Sequence, residues 1–451
     1  MKIERKFSKK LKESFFNLIN ESYGVKREIY DFVQSREAEV FKDMEYLKEV
    51  KEYNQLKILK AMQNNNLAAT DFNWTTGYGY GDIGRDKVEA IYRDVFKAES
   101  TLVRPNIVSG THAISLALLS NLKAGDHLLY ISGKPYDTLL KVIGVTGEES
   151  GSMKDLGIEY SYAELYNGVV SFDNVKEKFK ENTKIVAIQR STGYSDRRAL
   201  TIEEIEDAIK IVREINRDVI IFIDNCYGEF TDYKEPLEVG ADLMAGSLIK
   251  NPGGGLAYSG GYVAGREDLV ERCANRLTAP GIGRECGLTF GMTRQILQGL
   301  FIAPKVVYDA LLGANLVSKC FEKMGFNSIP KSTEKRSDIV TAIELKNRRL
   351  VEIFCEAVQD SSPVDSQFTP VAWDMPGYED QVIMAAGDFI EGSSIELSAD
   401  GPMREPFYVY FQGGLTYDHV KIAVLNILNK MNESGEFDYE FWRSYKRKIL
   451  P

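Results

Sequence analysis

The sequence contains few of the residues that build disulfide frameworks and metal sites. Its 451 residues include five cysteines and three histidines. The cysteines are odd in number and widely spaced, at Cys226, Cys273, Cys286, Cys320 and Cys355. Such spacing fits neither a set of disulfides nor a zinc site. We therefore expect no bound metal, and the lack of a disulfide framework favours a cytoplasmic protein.

Long apolar runs are also missing from the sequence. No stretch of 18 or more apolar residues occurs, which argues against a membrane span. The opening residues, MKIERKFSKKLKESFF, are charged and contain no apolar core, so they do not match a secretory signal. The formal net charge is -10, whereas nucleic-acid binding favours a basic surface. We therefore expect neither a membrane nor a nucleic acid as a partner.

Three segments of different character follow one another along the chain. Residues 1–75 carry apolar residues at helical spacing and predict two or three helices, the last ending at the asparagines 64–66. In residues 76–305, seven β-rich runs alternate with amphipathic helices, which predicts an α/β domain with a mainly parallel sheet. Residues 306–451 predict a smaller α+β domain that begins with a long helix.

Two charged residues stand at the ends of apolar strands in the middle segment. Asp224 ends DVIIFID, where it could pair with a cationic ring nitrogen or a metal, or cap the next turn. Lys250 follows LMAGSLI, where burial is expected to lower its pKa and make the amine nucleophilic. The alternative for Lys250 is a turn lysine at a strand end. Ser247, three residues earlier, could donate a hydrogen bond to an anion.

The stretch VSGTHAISLALL predicts a strand followed by a helix whose first N–H groups can bind an anion. Ser109, Gly110 and Thr111 would face a phosphate there. His112 could stack on a ligand, act in acid–base chemistry or cap the helix. Together with Asp224 and Lys250, this turn supplies what pyridoxal 5'-phosphate needs: a phosphate site, a carboxylate for the pyridinium nitrogen and a lysine for the aldehyde.

At these residues the sequence resembles the fold-type I pyridoxal-phosphate enzymes of Cys/Met metabolism, which include the cystathionine lyases and methionine gamma-lyase. It is most similar to the group known as aluminium resistance proteins within that branch. The likeness runs from about residue 75 to the C-terminus, and AGSLIKNPGGGLAYSGGYVAG, SADGPMREP and QGGLTYDHVKIA are its most specific blocks. The resemblance implies a large domain with a mainly parallel seven-stranded sheet, a smaller C-terminal α+β domain and a helical N-terminal segment.

The resemblance also implies a role for each candidate residue. Lys250 would bind the cofactor and move the α proton of the substrate, while Asp224 would pair with the ring nitrogen. Gly110 and Thr111 match the phosphate-binding turn of the family, and Ser247 matches its phosphate-contacting hydroxyl.

Two tyrosines complete the implied site. Tyr136 matches the residue that stacks on the cofactor ring, and it could assist proton transfer to the leaving sulfur. Tyr78 resembles a tyrosine that reaches the phosphate of the neighbouring subunit. The resemblance therefore implies an active site shared across a homodimer, within a tetramer.

Several positions depart from the pattern of these lyases. Tyr80 stands where they carry an arginine, and Arg85 from the same loop is the replacement that we expect. Their asparagine near the ring hydroxyl is absent, and Gln189 and its neighbours must serve differently. Glu396 stands where they carry the arginine for the substrate carboxylate. Arg404 is the substitute that we expect, with a structural arginine as the alternative.

The resemblance implies a pyridoxal-phosphate-dependent lyase that cleaves the carbon–sulfur bond of an amino acid such as cystathionine or methionine. An aminotransferase on the same fold uses the same lysine and aspartate, so that alternative stays open. A third alternative is a non-catalytic stress or metal-resistance binding protein. The presence of both Lys250 and Asp224 favours a protein that has kept its cofactor.

Overall fold

Three helices open the chain, in a computed structural model that describes residues 2–147, 150–376, 378–436 and 441. They are α1 (Lys2–Tyr23), α2 (Arg27–Asp43) and α3 (Tyr46–Asn64). The predicted helices are confirmed, and α3 ends at the predicted asparagines. Phe32 and Val33 of α2 and Ile58 of α3 are fully buried in the main core, which fixes this segment on the rest of the protein.

A seven-stranded sheet forms the centre of the molecule. Its strands are β1 (Ser100–Arg104), β2 (His127–Tyr130), β3 (Glu159–Tyr162), β4 (Thr183–Gln189), β5 (Ile220–Asp224), β6 (Leu243–Ser247) and β7 (Gly261–Gly265). Their spatial order is β1-β7-β6-β5-β4-β2-β3. Strand β7 runs antiparallel to both neighbours, whereas the pairs from β3 to β6 are parallel. The mainly parallel sheet is therefore confirmed.

Both faces of this sheet are buried along its central strands, where successive side chains point to opposite sides. On β5, Ile221 and Ile223 enter the main core, while Ile220 and Phe222 enter a second core on the other face. The helices of this region are α4 (Ile83–Phe96), α5 (Gly110–Asn121), α6 (Asp137–Ile143), α7 (Phe172–Lys178), α8 (Ile202–Ile215) and α9 (Glu267–Leu277). With both faces apolar, polar chemistry is confined to the loops beyond the strand ends.

A second sheet of five antiparallel strands lies in the C-terminal part, in the order β10-β11-β12-β9-β8. The elements are β8 (Asn327–Ile329), β9 (Val340–Glu344), α11 (Arg348–Asp360), β10 (Val382–Ala386), β11 (Ser398–Pro402), β12 (Tyr408–Gln412) and α12 (Tyr417–Ser434). Strands β9 and β12 and helix α12 confirm the predicted runs. The other four elements were not predicted.

Helix α10 (Thr293–Lys323) connects the two sheets and starts earlier than predicted. Pro304 favours a helix start in the sequence, yet it lies inside α10 because Ile296, Leu297 and Leu300 of the preceding turns are buried in the core. By length and composition α10 could cross a membrane, but 78% of its apolar window is buried inside the protein. The predicted domain boundary at residues 305 and 306 falls within this helix.

Candidate active site

The carboxyl ends of β4, β5 and β6 open into a pocket of about 390 Å³. Ligands of parallel sheets bind beyond these strand ends. The small sheet closes the opposite side, where residues such as Asp400 and Tyr410 line the pocket. Among the predicted site residues, the pocket brings together Ser109, Gly110, Thr111, Tyr136, Asp224, Ser247 and Lys250.

Helix α5 begins at the predicted anion-binding turn. Ser109 is its N-cap, and Ser109 Oγ accepts a hydrogen bond from the backbone N–H of His112 at 3.0 Å. The first N–H groups of a helix have no partner within the helix, so they are available to an anion. Ser247 Oγ in the same pocket is buried and has no hydrogen-bond partner among the described residues. A buried hydroxyl of this kind beside a helix N-terminus fits a phosphate group.

Gly110 lies where the turn, the lysine and the serine meet. A Cβ atom on Gly110 would lie 3.2 Å from Cys226 Sγ, 3.5 Å from Lys250 Nζ and 3.5 Å from Ser247 Cβ. The missing side chain thus leaves room for a ligand to approach the backbone. The three predicted elements are therefore adjacent in space.

Asp224 ends β5 and is 2% exposed. Its Oδ1 accepts a hydrogen bond from the backbone N–H of Cys226 at 3.1 Å. Burial raises the pKa of Asp224, and the positive charge of Lys250 opposes that rise. A buried carboxylate with one backbone donor gains from a cationic partner, as a protonated ring nitrogen would be.

Lys250 follows β6 and faces the pocket, so its side chain is only partly buried. Desolvation lowers the pKa of Lys250, but Cys226, Tyr227 and Asp224 together outweigh that effect, and the pKa is raised well above its ordinary value. The expectation of a lowered pKa is therefore wrong for this structure. That expectation rested on burial alone and did not include the groups that stabilise the ammonium form of Lys250.

Tyr136 precedes α6 and is held at two points. Its hydroxyl lies 3.1 Å from Thr111 Oγ1, and its backbone N–H donates to Gln189 Oε1 at 3.0 Å. Burial is the main reason that the pKa of Tyr136 is raised, so the phenol keeps its proton at neutral pH. Gln189, whose task the sequence left open, therefore positions the backbone of Tyr136.

Two of the predicted residues, His112 and Arg85, do not line the pocket and instead form hydrogen bonds with nearby backbone. His112 Nδ1 accepts a hydrogen bond from the backbone N–H of Val108 at 3.2 Å, so its ring faces the start of the helix. Arg85, 2% exposed, donates through Nη1 to the carbonyl oxygens of Gly77 and Gly79 at 2.9 and 3.2 Å. Of the alternatives for His112, the structure matches capping. The buried guanidinium of Arg85 holds its own loop, and its placement in the substrate site stays a prediction.

Tyr78 and Tyr80 lie on that same loop and do not line the pocket of their own chain. They are 71% and 79% exposed. Tyr78 is thus placed where another subunit could be reached, and its role stays a prediction. Tyr80 as a substrate-binding residue likewise stays a prediction that would require a neighbouring subunit.

Neither Glu396 nor Arg404, its expected substitute for binding the substrate carboxylate, lines the pocket. Glu396 accepts hydrogen bonds from the backbone N–H groups of Phe389 and Ile390 at 2.8 and 3.0 Å, so it orders a loop. Arg404 forms an ion pair with Asp380 at 3.0 Å and lines an adjoining cavity. The guanidinium of Arg404 pairs with Asp380 beside the pocket, and the carboxylate clamp at Arg404 stays a prediction.

Sequence reasoning missed several residues that line the pocket. Tyr227 comes three residues after Asp224, and its ring lies below the Lys250 amine at 4.0 Å from the ring centre. Asp388 and Asp400 come from the small sheet and its loops. Asp400 stands within SADGPMREP, a block that the sequence had already singled out. Its polar residues were the signal that could have identified it.

A sequence model of the methionine gamma-lyase family matches residues 29–432. The chain belongs to the methionine gamma-lyase family. The L-methionine gamma-lyase of Fusobacterium nucleatum subsp. polymorphum is 26% identical over 198 residues, which are 44% of this chain and 45% of that enzyme. The expected relationship to the lyases of Cys/Met metabolism is confirmed.

Two of the similar proteins match this chain over most of its length. Uncharacterized protein YnbB of Bacillus subtilis (strain 168) is 49% identical over 397 residues, which are 88% of this chain and 94% of YnbB. The crystal structure of a carbon-sulfur lyase involved in aluminum resistance from Clostridium novyi NT is 46% identical, with a TM-score of 0.88. That alignment covers 92% of this chain and 98% of the Clostridium chain. The predicted fold class and the resemblance to the aluminium resistance group are confirmed.

Family membership implies pyridoxal phosphate as the cofactor, and the pocket residues fit it. Ser247 Oγ and the start of α5 would hold the phosphate, because that buried hydroxyl lacks a partner among the described residues. Asp224 would hold the ring nitrogen and Lys250 the aldehyde. The glycine at position 110 leaves space beside Lys250 Nζ for a flat group.

Proposed function

We propose that this protein is a pyridoxal-phosphate-dependent lyase that cleaves the carbon–sulfur bond of a sulfur-containing amino acid. The observation that carries the proposal is the meeting of Ser247, Asp224 and Lys250 in one pocket at the sheet ends. Membership of the methionine gamma-lyase family supports this chemistry. The cofactor, when bound, takes up the electron pair that is left when the α proton of an amino acid is removed.

Asp224 and Lys250 divide the proton chemistry between them. Asp224 would pair with the ring nitrogen, so its carboxylate would stabilise the Lys250 ammonium less strongly. That loss lowers the pKa of Lys250 towards its ordinary value, while Cys226 and Tyr227 continue to favour the charged amine. Lys250 in its neutral form removes the α proton of the substrate.

Tyr136 supplies a proton to the leaving sulfur in this proposal. Its phenol is protonated at neutral pH because burial raises its pKa. The contacts with Thr111 and Gln189 fix its position. The carbon–sulfur bond breaks, the sulfur gains the proton, and water releases ammonia and a keto acid from the remaining fragment.

The proposal includes a homodimer whose subunits share their active sites, with a tetramer as the larger assembly. Tyr78 would reach the phosphate site of the neighbouring subunit. Two observations support this arrangement: Tyr78 is 71% exposed in its own chain, and Arg85 fixes the backbone on both sides of it. Exposed Trp74 on the same segment adds apolar surface for an interface.

A visible spectrum tests the cofactor part of the proposal. Protein loaded with pyridoxal phosphate should show a visible absorbance band, and borohydride should fix the cofactor on Lys250. Lys250→Ala should lose this fixation, whereas Lys184→Ala, at an exposed position of β4, should keep it. A protein that stays colourless with added pyridoxal phosphate would contradict the proposal.

A product assay tests the lyase part. Incubation with cystathionine, methionine or cysteine should release a thiol or sulfide, ammonia and a keto acid without a second substrate. An aminotransferase would use the same Lys250 and Asp224. A keto acid without ammonia, formed only when an amino-group acceptor is added, would replace the lyase by that alternative.

A further inference from the structure

The wall of the pocket that the small sheet forms is acidic. Asp388 and Asp400 line it, and Glu396 is buried close by. Burial and the neighbouring carboxylates Glu396 and Asp400 raise the pKa of Asp388 to about 8. Burial also raises the pKa of Asp400 to about 6. Such carboxyl groups gain from a nearby cation, because a positive charge favours their ionised form.

Basic side chains do not balance the negative charge of this acidic wall. Within the described residues, Lys250 is the single basic side chain that lines the pocket. Arg404 lies in the adjoining cavity. Arg197 turns its guanidinium to the carbonyl oxygens of Gln189 and Ser191, at 3.0 and 2.6 Å. A negatively charged substrate group would therefore meet carboxylates here without a guanidinium from the described chain.

Two buried hydroxyls at the same wall lack hydrogen-bond partners among the described residues. Ser394 and Ser398 line the pocket and are 8% and 4% exposed. A buried hydroxyl without a partner costs free energy, so both are suited to a ligand with hydrogen-bonding groups. Tyr194 and Tyr410 also line the pocket, with stacked rings 4.9 Å apart, and aromatic faces attract cations.

We propose that this wall selects a substrate whose sulfur substituent carries an amino group, so that an ammonium ion lies against Asp388 and Asp400. The inference rests on the proposed lyase function and names its substrate class, the S-aminoalkyl amino acids. An ammonium group donates to carboxylates and to serine hydroxyls alike. A neutral alkyl group of the same size would leave Asp388 Oδ1 and the two serine hydroxyls buried without a partner among the described residues, while Asp400 would keep its hydrogen bond from Gln412 Nε2.

A metal ion is a less suitable occupant than an ammonium ion. Across the part of the chain that the structure describes, no group of three or more His, Cys, Asp or Glu side chains is arranged to hold a metal. An ammonium ion needs no such fixed coordination. It can be held by two carboxylates together with aromatic faces.

The reaction on this substrate class is balanced without an oxidant or reductant. S-(2-aminoethyl)-L-cysteine loses its α proton, its Cβ–S bond breaks, and the sulfur leaves with a proton as the aminothiol. Water then converts the three-carbon fragment to pyruvate and ammonia.

Three S-substituted cysteines of matched size test the inference. We expect kcat/KM for S-(2-aminoethyl)-L-cysteine to exceed that for S-propyl-L-cysteine by about tenfold or more, since a hydrogen bond to a charged group contributes that much. S-carboxymethyl-L-cysteine should be the poorest substrate. Asp388→Asn and Asp400→Asn should each reduce the preference about tenfold. Glu391→Gln, an exposed carboxylate on the same loop as Asp388, should leave it unchanged.

Two results would overturn the inference: a propyl or carboxymethyl compound that is cleaved as well as the aminoethyl compound, or a preference that survives both aspartate substitutions. Calorimetric titration of Lys250→Ala, in which turnover is blocked, separates this outcome from failure of the lyase function. If no compound is cleaved but the aminoethyl compound binds most tightly, the lyase proposal fails and the charge preference stands. Cleavage of all three compounds at equal rates leaves the lyase proposal and removes this inference.

Discussion

The amine nitrogen of Lys250 lies 4.0 Å from the centre of the Tyr227 ring. Tyr227 adopts a φ of 70°, in the left-handed region that bulky side chains rarely occupy. Strained residues of this kind persist where the surrounding structure holds them, often at functional sites. The position of the ring beneath the lysine accounts for a backbone conformation that would otherwise favour glycine.

Replacing the Tyr227 ring should lower the pKa of Lys250. A cation–π contact contributes about 0.5–2 kcal/mol to the ammonium form, so Tyr227→Leu should lower the pKa of Lys250 by about 0.4 to 1.5 units. The pH dependence of the rate at which added pyridoxal phosphate becomes attached to Lys250 measures this change. Tyr227→Phe keeps the ring and should retain the wild-type midpoint. A midpoint that shifts equally in both variants would assign the effect to the hydroxyl group.

The large sheet could be predicted because most residues of its strands other than β3 are buried, so these strands read as apolar runs. Strand β4 coincides with TKIVAIQ, and β5 ends at Asp224 as expected. In the small sheet, β11 reads SADGP and carries little apolar signal of its own. It is held by pairing with β10 and β12. The sequence of α11 has an amphipathic pattern, but this helix was not among the predicted elements.

The residues of the candidate site fall into two groups: those that local sequence could predict, and those that depend on how the two sheets pack. Asp224 and Lys250 stand at strand ends, where local sequence places them beside the helix start at Gly110. Asp388 and Asp400 meet this site only through packing of the small sheet against the large one, so the block around Asp400 could single that residue out but could not place it at the pocket. The expectation of a lowered pKa for Lys250 was wrong for a related reason. The groups that raise it could be weighed only once their positions were known.

Glu229 should make the stability of the protein decrease with pH. It is fully buried, its Oε1 accepts a hydrogen bond from the Tyr262 hydroxyl at 2.8 Å, and desolvation raises its pKa to about 8. Above about pH 4.5 the unfolded chain releases this proton while the folded protein keeps it. The free energy of unfolding should therefore fall by about 1.4 kcal/mol per pH unit through this group, until the pH exceeds about 8.

Urea denaturation of Glu229→Gln between about pH 5 and pH 8 isolates this contribution. Glutamine keeps an acceptor for Tyr262 and does not titrate, so the variant should lose less stability than the wild-type protein across the range. Glu214→Gln, at an exposed position, should follow the wild type. If Glu229→Gln shows the wild-type slope, Glu229 is ionised in the folded protein.

The ion pair between Arg104 and Glu89 should be costly to break from one side. Arg104 Nη2 lies 3.0 Å from Glu89 Oε1, and their side chains are 1% and 11% exposed. Arg104→Met leaves a buried carboxylate without this partner, which typically destabilises by about 3–5 kcal/mol. Adding Glu89→Gln should recover most of the loss, as measured by urea denaturation. Arg349→Met, which breaks exposed pairs with Glu352 and Glu356, should cost less than about 1 kcal/mol. A double variant as unstable as the single one would contradict the pairing argument.

Two inactive variants should restore activity to each other if Tyr78 completes the site of the neighbouring subunit. We expect Lys250→Ala and Tyr78→Ala each to have little lyase activity, the second through weaker phosphate binding. In a hybrid dimer, one site combines an intact Lys250 with the Tyr78 of the other subunit, and the second site lacks both. Random exchange of equal amounts should therefore recover about one quarter of wild-type activity in a twofold-symmetric dimer.

Mixing Lys250→Ala with Asp224→Ala provides the matched control. Both residues line the same pocket of one chain, so each site of a hybrid dimer still lacks one of them and activity should not return. Subunit exchange is confirmed separately with differently tagged chains. Recovery in the control, or full activity of Tyr78→Ala alone, would show that Tyr78 does not complete a neighbouring site. Recovery only in the Tyr78 mixture would explain why this exposed tyrosine is carried on a loop fixed by the buried Arg85.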